Sequence, residues 1–144
     1  MNEVSARCWV FFEAIAARRG VAPEDLLAGS GVELERLRDP AQRFDWDVLA
    51  FAGKELERRV GRDALEALGA ESVDLPAFEP LRRGVGKLLG VGAMYRALKW
   101  LLPPFMKNLS VEVTEHDGVM VIALSVPTSH APSTALFLLA AGML

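Results

Sequence analysis

Residues 109–126 read LSVEVTEHDGVMVIALSV, and their period differs from everything before them. From Leu109 to Glu115 apolar and polar residues alternate; from Val119 to Val126 the chain is apolar and rich in β-branched residues; Asp117-Gly118 lies between. Strand-like runs on both sides of an Asp-Gly pair predict a β-hairpin with a two-residue turn, because that pair accepts the positive φ such turns require. Two strands alone are marginally stable in water. The hairpin therefore has to pack on helices, join a strand outside this chain, or both, and Leu136, Phe137, Leu138 and Leu139 are placed to cover one of its faces.

Upstream the spacing is helical. Val4, Cys8, Phe12 and Ile15 predict a first helix over 4–19, with Arg18-Arg19-Gly20 as its basic last turn and stop. Trp9, Phe11 and Phe12 cannot share one face, so this helix is buried on more than one side or offers a ring to a partner or ligand. Pro23 opens a second helix that Gly29-Ser30-Gly31 ends, and Glu33 to Leu37 suits a third before Asp39-Pro40. Asp45 is placed to cap a helix from Trp46 to Val60, with Phe44 packing on Leu49 as a hydrophobic staple. Leu49, Gly53, Leu56 and Val60 form its apolar side. A shorter helix over 63–68 ends near Gly69, and two more are expected at about 81–90 and 93–102, ahead of Pro103-Pro104. The expected fold is α+β and mainly α: a bundle of about six to seven helices, a C-terminal β-hairpin and a final apolar helix.

A chain of 144 residues, 51% hydrophobic and 24% charged, fits one domain over 1–144 with a core of its own. Cys8 is its single cysteine, which excludes an intrachain disulfide and a thiolate metal cluster. Glu3, Arg7 and Glu13 interrupt the first apolar run, as a secretory signal does not allow. The apolar run 131–144 is shorter than the roughly 20 residues of a spanning helix. A cytoplasmic protein without a membrane span is expected. Because the run reaches Leu144 with no capping residue, the chain is expected to be the N-terminal fragment of a longer signalling protein.

Residues 21–39, VAPEDLLAGSGVELERLRD, have the rhythm of a DNA-reading helix-turn-helix. Its second helix would insert carboxylates among phosphates, since the stretch holds five acids against two arginines, a net charge of −3. A structural helical hairpin, with no direct nucleic-acid contact, is the better reading. The basic residues lie elsewhere: Arg82, Arg83, Lys87, Arg96, Lys99 and Lys107 fall between Pro80 and Ser110, an interval without Asp or Glu. That interval suits an anionic ligand, an acidic partner or a lipid headgroup, or is a solvated face of two amphipathic helices. Gly84 to Gly92, GVGKLLGVG, fails the phosphate-loop template because Leu88 follows Lys87 and no strand precedes it. His116 and His130 lack metal-ligand spacing, no acid, base and nucleophile form a catalytic set, and no cofactor is expected.

Tyr95, Trp100 and Phe105 cluster beside Arg96 and Lys99, a mixture of apolar and polar groups that a small-molecule pocket requires. With His130 before the last helix, the candidate ligand-binding residues are Tyr95, Arg96, Trp100, Phe105 and His130. The ligand expected there is small and apolar or anionic.

Gly20-Val21, Pro23, Leu26-Leu27, Gly31-Val32, Leu37, Pro40 and Arg43-Phe44 form a pattern that resembles the amino-terminal ligand-binding region of AraC-type transcription regulators and of some bacterial sensor histidine kinases. The later stretch AMYRALKWLLPPFMKNLSVEVTEHDGVMVIAL continues the likeness, which spans roughly 20–126. The resemblance implies a signal-transduction input domain, with output carried by a neighbouring DNA-binding or kinase module. A haem-dependent nitric-oxide sensor is more distantly similar, but SVPTSHAPS lacks the tyrosine, serine and arginine pattern that contacts haem there. The leading expectation is a non-enzymatic input domain that binds a small molecule or protein partner, as a homodimer. A dimerisation or protein-interaction module without a small ligand is the alternative; a haem sensor or small enzyme ranks below both.

Overall fold

The computed structural model describes residues 2–76, Glu79, Arg83 and 86–144. Among these residues the chain is α+β, with seven helices and four strands. The order is β1 (Val4–Ser5), α1 (Ala6–Ala17), α2 (Pro23–Leu27), α3 (Leu34–Arg38), β2 (Arg43–Phe44), α4 (Trp46–Val60), α5 (Arg62–Ser72), α6 (Gly86–Leu101), β3 (Ser110–His116), β4 (Val119–Ser125) and α7 (Thr134–Met143).

The first helix starts later than its apolar spacing predicts. Ser5 is extended and its hydroxyl accepts the Arg7 N–H at 3.3 Å, so it caps α1 from outside. Val4 is fully buried in β1, which pairs antiparallel with β2: Val4 faces Phe44 and Ser5 faces Arg43. On the opposite edge of β1, Val4 bridges Met106, Ser5 N–H donates to the Phe105 carbonyl at 2.7 Å, and Lys107 N–H donates to the Glu3 carbonyl at 3.1 Å. The amino-terminal segment is thus pinned between two parts of the chain distant in sequence.

Trp9, Phe12 and Ile15 of α1 meet Leu26, Leu37, Leu49, Leu56, Leu65 and Leu68 in one core, with the Trp9 and Phe12 ring centroids 5.9 Å apart. Phe11 packs partly buried against the same core, so α1 is covered on more than one side. Arg19, past the end of α1, grips Glu71 of α5 through two 2.7 Å hydrogen bonds, which hold the Glu71 carboxyl below its ordinary range.

Gly69 reads as a stop in the sequence, but α5 continues through it to Ser72. Its missing side chain serves a neighbour: a Cβ on Gly69 would run into the backbone carbonyl of Leu139 in α7, and one on Gly142 into the backbone carbonyl of Glu66 in α5. The two helices touch backbone to backbone. Gly53 of α4 gives a looser fit, where a Cβ would stand 3.2 Å from Leu136 and from the Ser133 hydroxyl. Consequently α7 packs mainly on α5 and α4, and the expected cover of the hairpin by Leu136 to Leu139 is not what forms.

The expected break between two helices at residues 90–93 is also absent. Gly90 and Gly92 lie inside the single helix α6, while most of the remainder of the expected helix at 81–90 falls outside the described residues. The hairpin stands where the sequence puts it. Asp117 at φ 50° and Gly118 at φ 75° make the turn, and the register runs from His116 opposite Val119 to Ser110 opposite Ser125. Val111, Val113, Met120, Ile122 and Leu124 are half-buried on one face, and α6 is the main helix packed against β3. Val119 and Val121 on the other face are exposed.

The glycines predict opposite outcomes for one substitution. Gly69→Ala or Gly142→Ala should cost about 2–3 kcal/mol in urea denaturation, because backbone must move to admit the methyl group. Gly92→Ala, whose Cβ would find Met120 and Arg96 at ordinary contact distance, should instead gain up to about 1 kcal/mol from helix propensity.

Candidate functional site

Tyr95, Arg96 and Trp100 lie on α6 and Phe105 just beyond it, whereas His130 lies between the hairpin and α7, and the five face different neighbours. Tyr95 of α6 is half-buried and its hydroxyl donates to the Leu144 carbonyl. Arg96, exposed one residue on, lies 3.2 Å from Glu115 of β3 and ties the helix to the hairpin. Trp100 is 74% exposed, with the Lys99 ammonium 5.2 Å from its ring centroid. Phe105 is partly exposed, and its useful group is the backbone carbonyl that takes the Ser5 N–H. His130 belongs to another cluster: its Nδ1 is 3.1 Å from the Ser129 hydroxyl and its Nε2 is 3.5 Å from Glu3 Oε1. The other Glu3 oxygen accepts the Trp46 N–H at 3.2 Å, so this carboxylate serves the start of α4, which Asp45 precedes without bonding its side chain to the first turn.

None of these residues lines either of the two best-formed depressions among the described residues, both of which are open. One, of about 460 Å³, is lined by Asp63, Glu66, Ala67, Ala70, Ala141 and Gly142. The other, of about 340 Å³, is lined by Val10, Glu13, Ala14, Ala17 and Arg38.

The helical hairpin α2–α3 is bound into the scaffold. Leu26, Leu27, Leu34 and Leu37 are buried, Arg38 makes a two-pronged contact with Glu13 of α1, and Asp25 lies 3.4 Å from Arg59 of α4. Three members of the basic interval are engaged locally: Arg83 pairs with Glu79 at 2.6 Å, Arg96 with Glu115, and Lys99 with the Trp100 ring. Arg82 and the Lys87 side chain lie outside the described residues. No group of three His, Cys, Asp or Glu suited to a metal occurs among the described residues, and no helix there is long and apolar enough to cross a membrane.

The residue that organises this region is Arg43. The Arg43 guanidinium donates to the carbonyl of Asn2 at 3.1 Å through Nε, to Pro104 at 3.1 Å through Nη1, and to Glu3 and, at 3.5 Å, Phe105 through Nη2. Beside this fork sits Cys8, whose Sγ is 3.7 Å from the Phe105 carbonyl. Burial pushes its thiol up to about 11, against the opposing pull of the Arg43 charge and a backbone hydrogen bond from Ser5.

Arg43→Ala should therefore lower stability by about 2–4 kcal/mol, and Arg43→Lys should recover only part, since a point charge cannot span several carbonyls. Chemical denaturation checks both. For Cys8, the folded chain keeps a proton to about pH 11 that the unfolded chain releases near the ordinary 9.0. Its stabilising contribution is complete below that lower value and is lost as pH rises through the upper one, so Cys8→Ala should flatten the alkaline fall in stability.

No protein-family model matches this chain, and comparison with curated proteins and with solved structures likewise gives no match.

Proposed function

We propose that this domain is a non-catalytic, cytoplasmic input module of a bacterial signalling protein, and that it works by homodimeric protein contact through the limb formed by α6 and the β3–β4 hairpin. The observation that carries this reading is the distribution of exposed large apolar side chains. Of the seven among the described residues, Trp100 and Leu101 of α6, Phe105 just beyond it, and Val119 and Val121 of β4 belong to this limb, while Val10 and Leu144 do not. Apolar surface gathered on one limb is what a protein contact uses, whereas singly scattered residues need no explanation.

The sequence resemblance supports the signalling context, since in those regulators and kinases a comparable region precedes an output module. A contact on the limb would shift an equilibrium only by favouring one of two arrangements of the domain. The limb joins the core through Arg43 and through the segment before α7, so these are the points at which such a preference is felt.

Light scattering of the purified chain over a wide concentration range tests the reading. A mass rising from monomer to dimer is expected, with Val119→Ser weakening association by about tenfold, or about 1.4 kcal/mol. A monomer at every concentration, together with a stoichiometric small molecule in native mass spectrometry, would sink it in favour of a ligand sensor.

A further inference from the structure

We propose that two copies of this chain join edge to edge through β4, antiparallel about Ile122, to form a continuous sheet in the order β3, β4, β4 of the second copy, β3 of the second copy. The inference rests on the dimeric reading above and names the surface responsible.

The hydrogen-bond geometry of the hairpin fixes which groups remain available. A two-residue turn makes His116 and Val119 a bonded pair, and bonded and non-bonded pairs then alternate along the ladder. Val121 and Ala123 spend their N–H and C=O groups on β3, whereas Met120, Ile122 and Leu124 turn theirs to the opposite edge. Among the described residues, no backbone hydrogen bond outside the ladder reaches β4. The edge therefore offers a regular row of donors and acceptors centred on Ile122, the middle residue of the strand.

That row is complementary to itself. In an antiparallel pairing about a two-fold axis at Ile122, Met120 meets the second copy's Leu124, Ile122 meets its own equivalent, and every outward donor faces an outward acceptor. Any other register leaves outward groups unmatched.

Charge selects this edge over the other. Strand β4, VMVIALS, contains no charged residue, whereas β3, SVEVTEH, carries Glu112 and Glu115. Charged residues on an edge strand discourage pairing, and an uncharged apolar edge invites it. Two β4 strands meet without like-charge repulsion; two β3 strands would bring glutamates together. The carboxylates then flank the outer edges of the joined sheet, which disfavours further addition and limits the assembly to a pair. Val119, Val121 and Ala123 of both copies form one apolar row across the junction, in which Val121 and the second copy's Ala123 touch side by side.

Register-specific cross-linking tests the arrangement. In a Cys8→Ala background, Val121→Cys chains are mixed with Ala123→Cys chains and oxidised. The proposed pairing sets these positions directly opposite as a non-bonded pair, with Cα atoms about 4.5 Å apart, within disulfide reach. The mixture should give covalent heterodimer at least about tenfold faster than either chain gives homodimer. Val121→Lys, at an exposed position, and Ile122→Pro, which removes an outward donor, should each raise the dissociation constant at least about tenfold, while circular dichroism and thermal melting of the lysine variant stay close to those of the parent. A dimer that forms without the selective cross-link, and that Val121→Lys leaves intact, overturns the β4 pairing but not the dimeric reading. A chain monomeric at all concentrations overturns both, including the case in which β4 accepts an extended peptide from a different protein.

Discussion

The geometry of the candidate surface depends on one guanidinium. Arg43 gathers backbone carbonyls from Asn2, Glu3, Pro104 and Phe105, uniting the start of the chain, β2 and the segment that follows α6. Two of these carbonyls already accept backbone N–H groups, Glu3 from Lys107 and Phe105 from Ser5, and the arginine adds a charge-assisted bond to each and reaches Asn2 and Pro104 besides. A planar fork with several donors and a permanent charge spans acceptors so arranged. Lysine has the charge but not the fork.

Around this junction the molecule divides its work. Helices α1 to α5 and α7 make the core, closed where α5 and α7 approach backbone to backbone at Gly69 and Gly142. The intervening α6 and hairpin leave that core and return to it. The return is fixed at Ala131, whose carbonyl accepts the Trp46 indole N–H at 2.7 Å and whose N–H donates to Asp47 at 3.1 Å. The limb is thus anchored at both ends and also joined to the end of α7 through the Tyr95 hydroxyl, with its least buried apolar residues on the part between.

Local signals were legible in the sequence, and non-local ones were not. Asp117-Gly118 announced its turn because positive φ at two successive residues is a local demand that few residue types meet. Gly69 was misread because a glycine reports only that a Cβ is unwelcome; whether the obstacle is the chain's own turn or the backbone of Leu139 seventy positions away is not written beside it. Gly90 and Gly92 misled in the same way, suggesting a break inside α6. Strand β1 has two residues and so no period, and its partner lies across α1, α2 and α3. Among the candidate site residues, Arg96 and Trp100 do reach the limb's surface, while His130 sits near Glu3 for reasons set by the return at Ala131. Arg43 had no readable role because its acceptors are main-chain carbonyls, which every residue possesses.

The two anchors are unequal, and that inequality decides how a force on the hairpin would be shared. At the Arg43 end, the charged fork is reinforced by the backbone bonds from Ser5 to Phe105 and from Lys107 to Glu3. At the Ala131 end there is one neutral hydrogen bond from Trp46 and one to the Asp47 carboxylate. Bonds to charged groups contribute about 1.5–3 kcal/mol each and neutral ones about 1, so the first anchor resists displacement more strongly than the second. Three residues beyond the weaker anchor, α7 begins, held to α5 by contacts that tolerate no added methyl group. Packing that close is either kept or broken; it does not stretch. The less strongly held end of the limb is therefore the one that adjoins the helix pair with the least freedom to yield gradually.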